Sequence, residues 1–412
     1  MRKTVWVPVT ILLGAFLFGC ADEPAPALEP GTWRAWLDSP GGELPFGLEL
    51  TPGSGGWSGK ILNGLERIDI ERVEIDANHL TLGIDHYAAT VEATLTSPTT
   101  LEGRWWKTGS KGAISELPFH AIHGESRRFQ SLEAAVETGS VDGRWSVQFA
   151  DDEDLAVAVF EQHDGNEVTG TFLTTTGDYR YLAGSFEGGR LRLSVFDGAH
   201  AFLFDARLQD DGTLAGDFWS RDSWHDTWTA RRDDTASIDP ATEQVAWVGG
   251  TPLSEVVFPD LEGNPRSLDD PEFAGQARII EVFGSWCPNC NDATAYLVDL
   301  HKRYGPRGLS ILGLAFEMSG DFGRDADQVR VYRNYHGIEY PLLIAGNSIK
   351  AEASKQFPLI ERIKSYPTTI FLDGEGNVHT VYSGFSGPAT GDAYLELQAE
   401  FERIIEELLG DG

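Results

Sequence analysis

A duplicated all-β antiparallel module, barrel or sandwich, followed by an α/β domain is the architecture predicted by the 412-residue sequence. Three observations carry it. Between residues 31 and 233, short segments such as Phe46-Gly47-Leu48-Glu49-Leu50 alternate apolar and polar residues and are broken by Gly, Asn and Asp, the pattern of half-buried strands. That pattern recurs at a spacing near 112 residues. Beyond residue 248 the periodicity changes: the buried run Ile279-Ile280-Glu281-Val282-Phe283 is followed by Ala293, Leu297, Leu300 and Tyr304, three or four apart on one helical face.

Length and charge set outer bounds. A chain of 412 residues suggests two to four domains. The net charge is −32, with Asp+Glu 64 against Lys+Arg 32. Such a surface repels phosphate backbones, which argues against nucleic-acid binding. It reads equally as a generally solvated acidic surface.

The chain opens with Arg2 and Lys3, then an almost wholly apolar run from Val5 to Gly19, then Cys20. At about 15 residues the run is short of the roughly 20 that span a bilayer, and it predicts a secretory signal over 1–20. Leu17-Phe18-Gly19-Cys20 resembles the lipobox of bacterial lipoproteins. The resemblance implies cleavage before Cys20 and its lipidation, which anchors the protein to a membrane facing the periplasm or extracytoplasmic space. Ala21 after Cys20 leans toward an outer membrane where the cell has one. Residues 21–30, rich in Pro and acids, read as a tether.

Two β repeats follow, over 31–123 and 141–233, with a connector at 124–140 in which Ser131 to Val136 predicts a short helix. Gly31-Thr32-Trp33 matches Gly143-Arg144-Trp145, and Ser58-Gly59-Lys60 matches Thr169-Gly170-Thr171. Leu80-Thr81-Leu82 matches Leu191-Arg192-Leu193, and Leu101-Glu102-Gly103-Arg104-Trp105 matches Leu214-Ala215-Gly216-Asp217-Phe218. Each copy predicts about seven or eight strands in a small barrel or sandwich; a single larger two-sheet structure is the alternative. Nine of the 12 Trp residues lie here, as core fillers or as the lining of a ligand cleft. His120 and His123 fall on opposite faces of a strand. No metal site is predicted, since the ten His form no ligand-spaced cluster.

Residues 234–248, polar and carrying Pro240, read as a linker to the 249–412 domain. There Trp286-Cys287-Pro288-Asn289-Cys290 stands at a strand-to-helix junction. A first cysteine at a helix N-terminus is favoured as a thiolate by free N–H groups and the helix dipole. Cys290, one turn on, is placed to resolve the mixed disulfide that Cys287 forms. Pro288 fits the first helical position. A zinc half-site needs two more ligands, and the remaining cysteine is the distant Cys20. The pair therefore predicts a redox-active disulfide, Cys287–Cys290, with no other cofactor.

Several motifs in order now resemble one family. Pro259-Asp260-Leu261-Glu262-Gly263-Asn264-Pro265 looks like the entry hairpin of the extracytoplasmic TlpA/ResA-like thiol–disulfide oxidoreductases of the thioredoxin superfamily. The strand and Cys-x-x-Cys follow, then a buried strand at Leu309–Phe316 and an extra helix at Asp325–His336. Tyr340-Pro341-Leu342-Leu343-Ile344, Tyr366-Pro367-Thr368-Thr369-Ile370, the turn Gly374-Glu375-Gly376-Asn377 and a helix at Asp392–Leu409 complete the series. The resemblance implies a thioredoxin-like fold for 249–412 and does not reach the repeats. It implies that Pro367 is a cis-proline facing the cysteines, leaving the Tyr366 backbone free to pair with an extended substrate. It also implies that Glu281, in the apolar strand, is the buried acid that relays a proton for Cys290, with a pKa raised by burial. The alternative is a Glu that reaches the strand edge and solvent. Trp286 either shields the reactive sulfur and shapes the substrate surface or serves as packing.

The expected activity is extracytoplasmic thiol–disulfide exchange. The resemblance favours net reduction of protein disulfides, apocytochromes c among them, with a membrane thiol donor restoring the dithiol. Two other classes compete: a thiol peroxidase of the same fold, and a ligand-binding envelope lipoprotein whose redox domain is accessory.

Overall fold

The computed structural model describes residues 27–109, 112–131 and 139–410. The expected export signal, Cys20, most of the expected tether and nearly all of the helix expected at Ser131–Val136 lie outside the described residues.

Residues 31–123 form a nine-stranded antiparallel sheet, and residues 143–232 form a second. In each, the first strand pairs with both the second and the last. Gly31–Ser39 lies between Gly42–Gly53 and Ile114–His123, and Gly143–Phe149 lies between Ala156–Gln162 and Trp224–Arg232. The second sheet closes into a barrel, because Glu167–Thr174 pairs with Ala156–Gln162 on one side and with Leu182–Glu187 on the other. Closure leaves that ring no free edge. Each sheet has nine strands where the sequence predicted seven or eight. The extra ones are the polar, largely exposed Arg72–Asp76 and the two-residue Gly177–Asp178, neither long nor regular enough to show alternation.

Inward-facing tryptophans fill both modules: Trp33 and Trp105 in the first, Trp145 and Trp228 in the second, all fully buried. The modules are also fused to each other. Phe196, Ala199, Ala201 and Leu203 of the second repeat join the core of the first. Asn63 Nδ2 donates to the Phe196 carbonyl at 2.8 Å, and Trp105 Nε1 to the Gly198 carbonyl at 3.2 Å.

The C-terminal domain is α/β and thioredoxin-like. Its five-stranded sheet runs in the order Leu342–Asn347, Leu309–Glu317, Ala277–Phe283, Thr368–Asp373, Val378–Ser383. The first three are parallel and the last two join antiparallel. Four helices accompany it: α1 (Pro288–Tyr304), α2 (Phe322–His336), α3 (Lys350–Gln356) and α4 (Asp392–Leu409). Helix α2 starts earlier than its apolar periodicity indicates because Asp321 caps it, accepting the Arg324 N–H at 3.0 Å. Ala277–Phe283 is paired on both sides, so Glu281, opposite Gly313 and Thr369, has no route to a sheet edge.

Candidate redox site

The site begins where the central strand ends. Chain reversal through Gly284-Ser285-Trp286 delivers Cys287 to the N-cap of α1, with Pro288 at the first helical position. Cys287 Sγ accepts the Cys290 N–H at 3.2 Å, and its thiol faces the Tyr366 carbonyl at 3.4 Å. An N-cap acceptor that carries negative charge gains from the free N–H groups of the first turn. Cys287 is 6% exposed and Cys290 0%; both are free thiols. Burial, then the neighbouring Cys287, pushes the Cys290 thiol well above its ordinary value. One sulfur thus faces outward with donors around it, and its mate lies behind as a thiol.

Glu281 sits beneath the first turns of α1, 0% exposed. Its Oε1 accepts from Thr294 Oγ1 at 3.3 Å, and Tyr332 links the same threonine (2.8 Å) to the Cys290 carbonyl (3.0 Å). The Tyr340 hydroxyl also faces the carboxyl and, with Thr294, partly offsets its burial. Burial raises the Glu281 pKa from 4.5 to about 8. A buried carboxyl with so few donors holds its proton at neutral pH.

The Tyr366–Pro367 peptide is cis. The Tyr366 ring packs edge-on against Trp286 at 5.4 Å, and its hydroxyl donates to the Ser348 carbonyl at 3.2 Å. Trp286 is partly buried and donates from Nε1 to the Phe316 carbonyl at 2.9 Å. Packing and edge therefore coexist in one side chain. Tyr366, Trp286 and Cys287 come together beside the cis Pro367, while Glu281 is linked through Thr294 and Tyr332 to the Cys290 carbonyl.

Sequence reasoning missed four participants. Glu317 closes the strand Leu309–Glu317 and accepts both the Ser285 N–H and its hydroxyl at 2.8 Å; burial pushes it up to about 7. An acid ending an otherwise apolar strand was its available signal. The other three belong to the β modules, which lie against the redox face. Lys107 of the first module donates from Nζ to the Trp286 carbonyl at 3.2 Å. Gly177 of the second module packs so closely on Asn289 that an added Cβ would run into Asn289 Nδ2. Arg180, 4% exposed, pairs with Asp292 of α1, with Glu66 at 2.7 Å and with Asp197 at 3.5 Å. Asp178 accepts the Gly387 N–H at 2.6 Å, and Gln328 of α2 donates to the Asp85 and His86 carbonyls at 3.1 and 2.9 Å. Contacts so distant in sequence leave no local pattern to read.

Part of the chain is similar to known proteins. Residues 250–381 match the model of the AhpC/TSA family. The thiol–disulfide oxidoreductase ResA of Geobacillus kaustophilus is 25% identical over 155 residues, 38% of this chain and 80% of that protein. ResA of Geobacillus thermodenitrificans is 26% identical over 143 residues, 35% of this chain and 74% of that protein. Among solved structures, a thiol:disulfide interchange protein of Chlorobium tepidum shares 26% identity, with a TM-score of 0.29, covering 40% of this chain and 99% of that one. The family-model match lies at residues 250–381, and the relatives and the solved structure each cover 35–40% of the chain.

Proposed function

We propose that this thioredoxin-like thiol–disulfide oxidoreductase reduces protein disulfides outside the cytoplasm, from a membrane to which a lipid on Cys20 anchors it. The observation that carries the reading is the asymmetry of the pair: Cys287 Sγ faces the N–H of Cys290 at the α1 N-terminus, while Cys290 is sealed behind it. An incoming disulfide meets Cys287 alone.

The Cys287 thiolate attacks one substrate sulfur. The substrate S–S bond breaks, a Cys287–substrate disulfide forms, and the departing thiolate takes up a proton. Glu281, in the minor fraction that is carboxylate at neutral pH, takes the Cys290 proton through the relay that Thr294 begins. Cys290 then attacks Cys287, the second substrate thiol leaves, and the Cys287–Cys290 disulfide remains. Two electrons have passed to the substrate. A membrane thiol donor restores the dithiol, and protein disulfides, apocytochromes c among them, are the substrate class. Trp286 and the backbone at Tyr366–Pro367 form the face on which an extended substrate segment lies.

Equilibrating the purified chain in glutathione buffers and counting free thiols by mass tag tests the chemistry. Reversible passage between dithiol and disulfide is expected; a pair that never cycles ends the reading. Tagging in intact cells tests direction: a reductase rests with Cys287 and Cys290 mainly as thiols, an oxidase with them bridged. The AhpC/TSA match supplies a second reading, a thiol peroxidase. Peroxide turnover by the dithiol form would favour it, and none is expected here.

A further inference from the structure

We propose that Lys107, from the first β module, is a positioning residue of the redox site: it holds the Trp286–Cys287 peptide and favours the thiolate at Cys287. The proposal rests on Cys287 being the nucleophile of the reading above.

Lys107 is the penultimate residue of the strand Thr100–Thr108, on the same buried face as Leu101 and Trp105, and at the end of that strand its Nζ reaches the C-terminal domain. Its Nζ donates to the carbonyl of Trp286, the residue bonded to Cys287, at 3.2 Å. The residue is 3% exposed. Among the described residues no carboxylate lies within ion-pair distance of Nζ, which stands 5.2 Å from the centre of the Tyr87 ring. Burying a lysine without a counter-ion is costly, and a barrel strand has no structural need of one. The duplication supports this. Leu101 and Trp105 correspond to Leu214 and Phe218, and the next inward position, Lys107 here, is Ser220 in the second copy. The lysine is a departure from the repeat at the point where the first module meets Cys287.

Charged and titratable groups face this lysine from every side. Arg221 of the second module opposes its charge, while Asp197, Cys287 and Glu317 favour it, and burial lowers it to about 7. Around Cys287 stand Tyr87 of the first module, Cys290 of α1, Lys350 of α3 and Tyr366 of the cis-proline segment. Lys350 faces Cys287 from α3, and Lys107 is the lysine that hydrogen-bonds the Trp286–Cys287 peptide.

The test uses the full chain. Glutathione cycling is measured first, so that failure of the redox reading shows separately. The reduced protein is then alkylated with iodoacetamide across a pH series, and modification of the Cys287 peptide is read by mass. For Lys107→Gln and Lys107→Met the midpoint of alkylation should move up by about one pH unit, with roughly tenfold slower reaction on the acid limb. Lys107→Arg should restore the wild-type profile. The methionine variant keeps the stem's volume and serves if glutamine fails to fold. A neutral variant with the wild-type midpoint, or an arginine variant displaced as far as the neutral ones, overturns the proposal.

Discussion

Cys287 and Cys290 are three residues apart yet chemically unlike, because one is the cap of α1 and the other lies within its first turn. Burial that keeps Cys290 a thiol makes it a slow nucleophile until a base acts on it. Replacing Cys290 with Ala should therefore leave attack intact and stop resolution. Non-reducing gels of cells carrying Cys290→Ala should show partner adducts joined through Cys287, and Cys287→Ala should abolish them. Glu281 is testable by a property other than rate. Its pKa is raised from 4.5 in the unfolded chain to about 8. Between those values the folded state keeps a proton that the unfolded state has released. The stabilisation is thus full below pH 4.5 and is lost as pH rises toward 8, at up to about 1.4 kcal/mol per unit. Glu317 and His336 also change protonation across this range, so the difference between wild type and Glu281→Gln isolates the contribution of Glu281. Thermal midpoints of the variant, relative to wild type, should rise as pH is raised from 5 toward 8, a window set by the Glu281 shift. A constant difference would mean that Glu281 does not hold its proton in the fold. In thiol exchange, Glu281→Gln should slow release of reduced substrate about a hundredfold, the lower range for a lost general base.

Among the elements, those whose burial follows a simple period were legible in the sequence. The strand Ala277–Phe283 and α1 were read from apolar spacing, α4 from the family resemblance, and the repeat from recurring Gly and Trp positions. Cys287, Cys290 and Glu281 were legible because local pattern and chemistry coincide there. Trp286 was left open between packing and function, and its ring has a partner on each side. What escaped was set by tertiary contact. Glu66–Ile70 and Arg72–Asp76 are short and polar, and the turn before Gly177–Asp178 is shaped by what it touches. Gly177 has φ +153° and no space for a Cβ beside Asn289. Across the same seam, a Cβ on Gly384 would stand 3.0 Å from the Thr175 carbonyl. Gly177 thus lets backbone approach the Asn289 side chain, and Gly384 lets backbone meet backbone, between the second module and the C-terminal domain. Gly177→Ala should weaken that docking by about 1–3 kcal/mol, as overpacking does elsewhere. The expected sign is faster alkylation of Cys287 at a pH where the thiol is fully ionised, with the thermal transition of the barrels unchanged. Unaltered alkylation would show that the turn does not control access.

For the molecule as a whole, one guanidinium ties three parts together. Arg180 belongs to the second module, Glu66 to the first, and Asp292 to α1, five residues after Cys287. Asp197 adds a further carboxylate; burial lowers the arginine's pKa, but Glu66, Asp197 and Asp178 hold it above its ordinary value. Removing one member of such a buried network costs about 3–5 kcal/mol, because the rest are left desolvated and unpaired. Arg180→Gln should accordingly loosen the modules from the redox face, where Lys364–Asp154 is a second clasp at 2.7 Å. Loosening has two opposed effects on Cys287. It uncovers a sulfur that is 6% exposed, and it withdraws Lys107 from the Trp286 carbonyl. Well above the alkylation midpoint only access matters, and the variant should react faster than wild type. On the acid limb the missing cation dominates, the midpoint moves up, and the two rate curves cross. Adding Lys107→Gln to Arg180→Gln should move the midpoint no further, since the lysine has already left. Additive shifts would mean that the arginine acts on Cys287 independently of docking, and parallel curves that never cross would mean that the β modules govern access but not the acidity of the thiol.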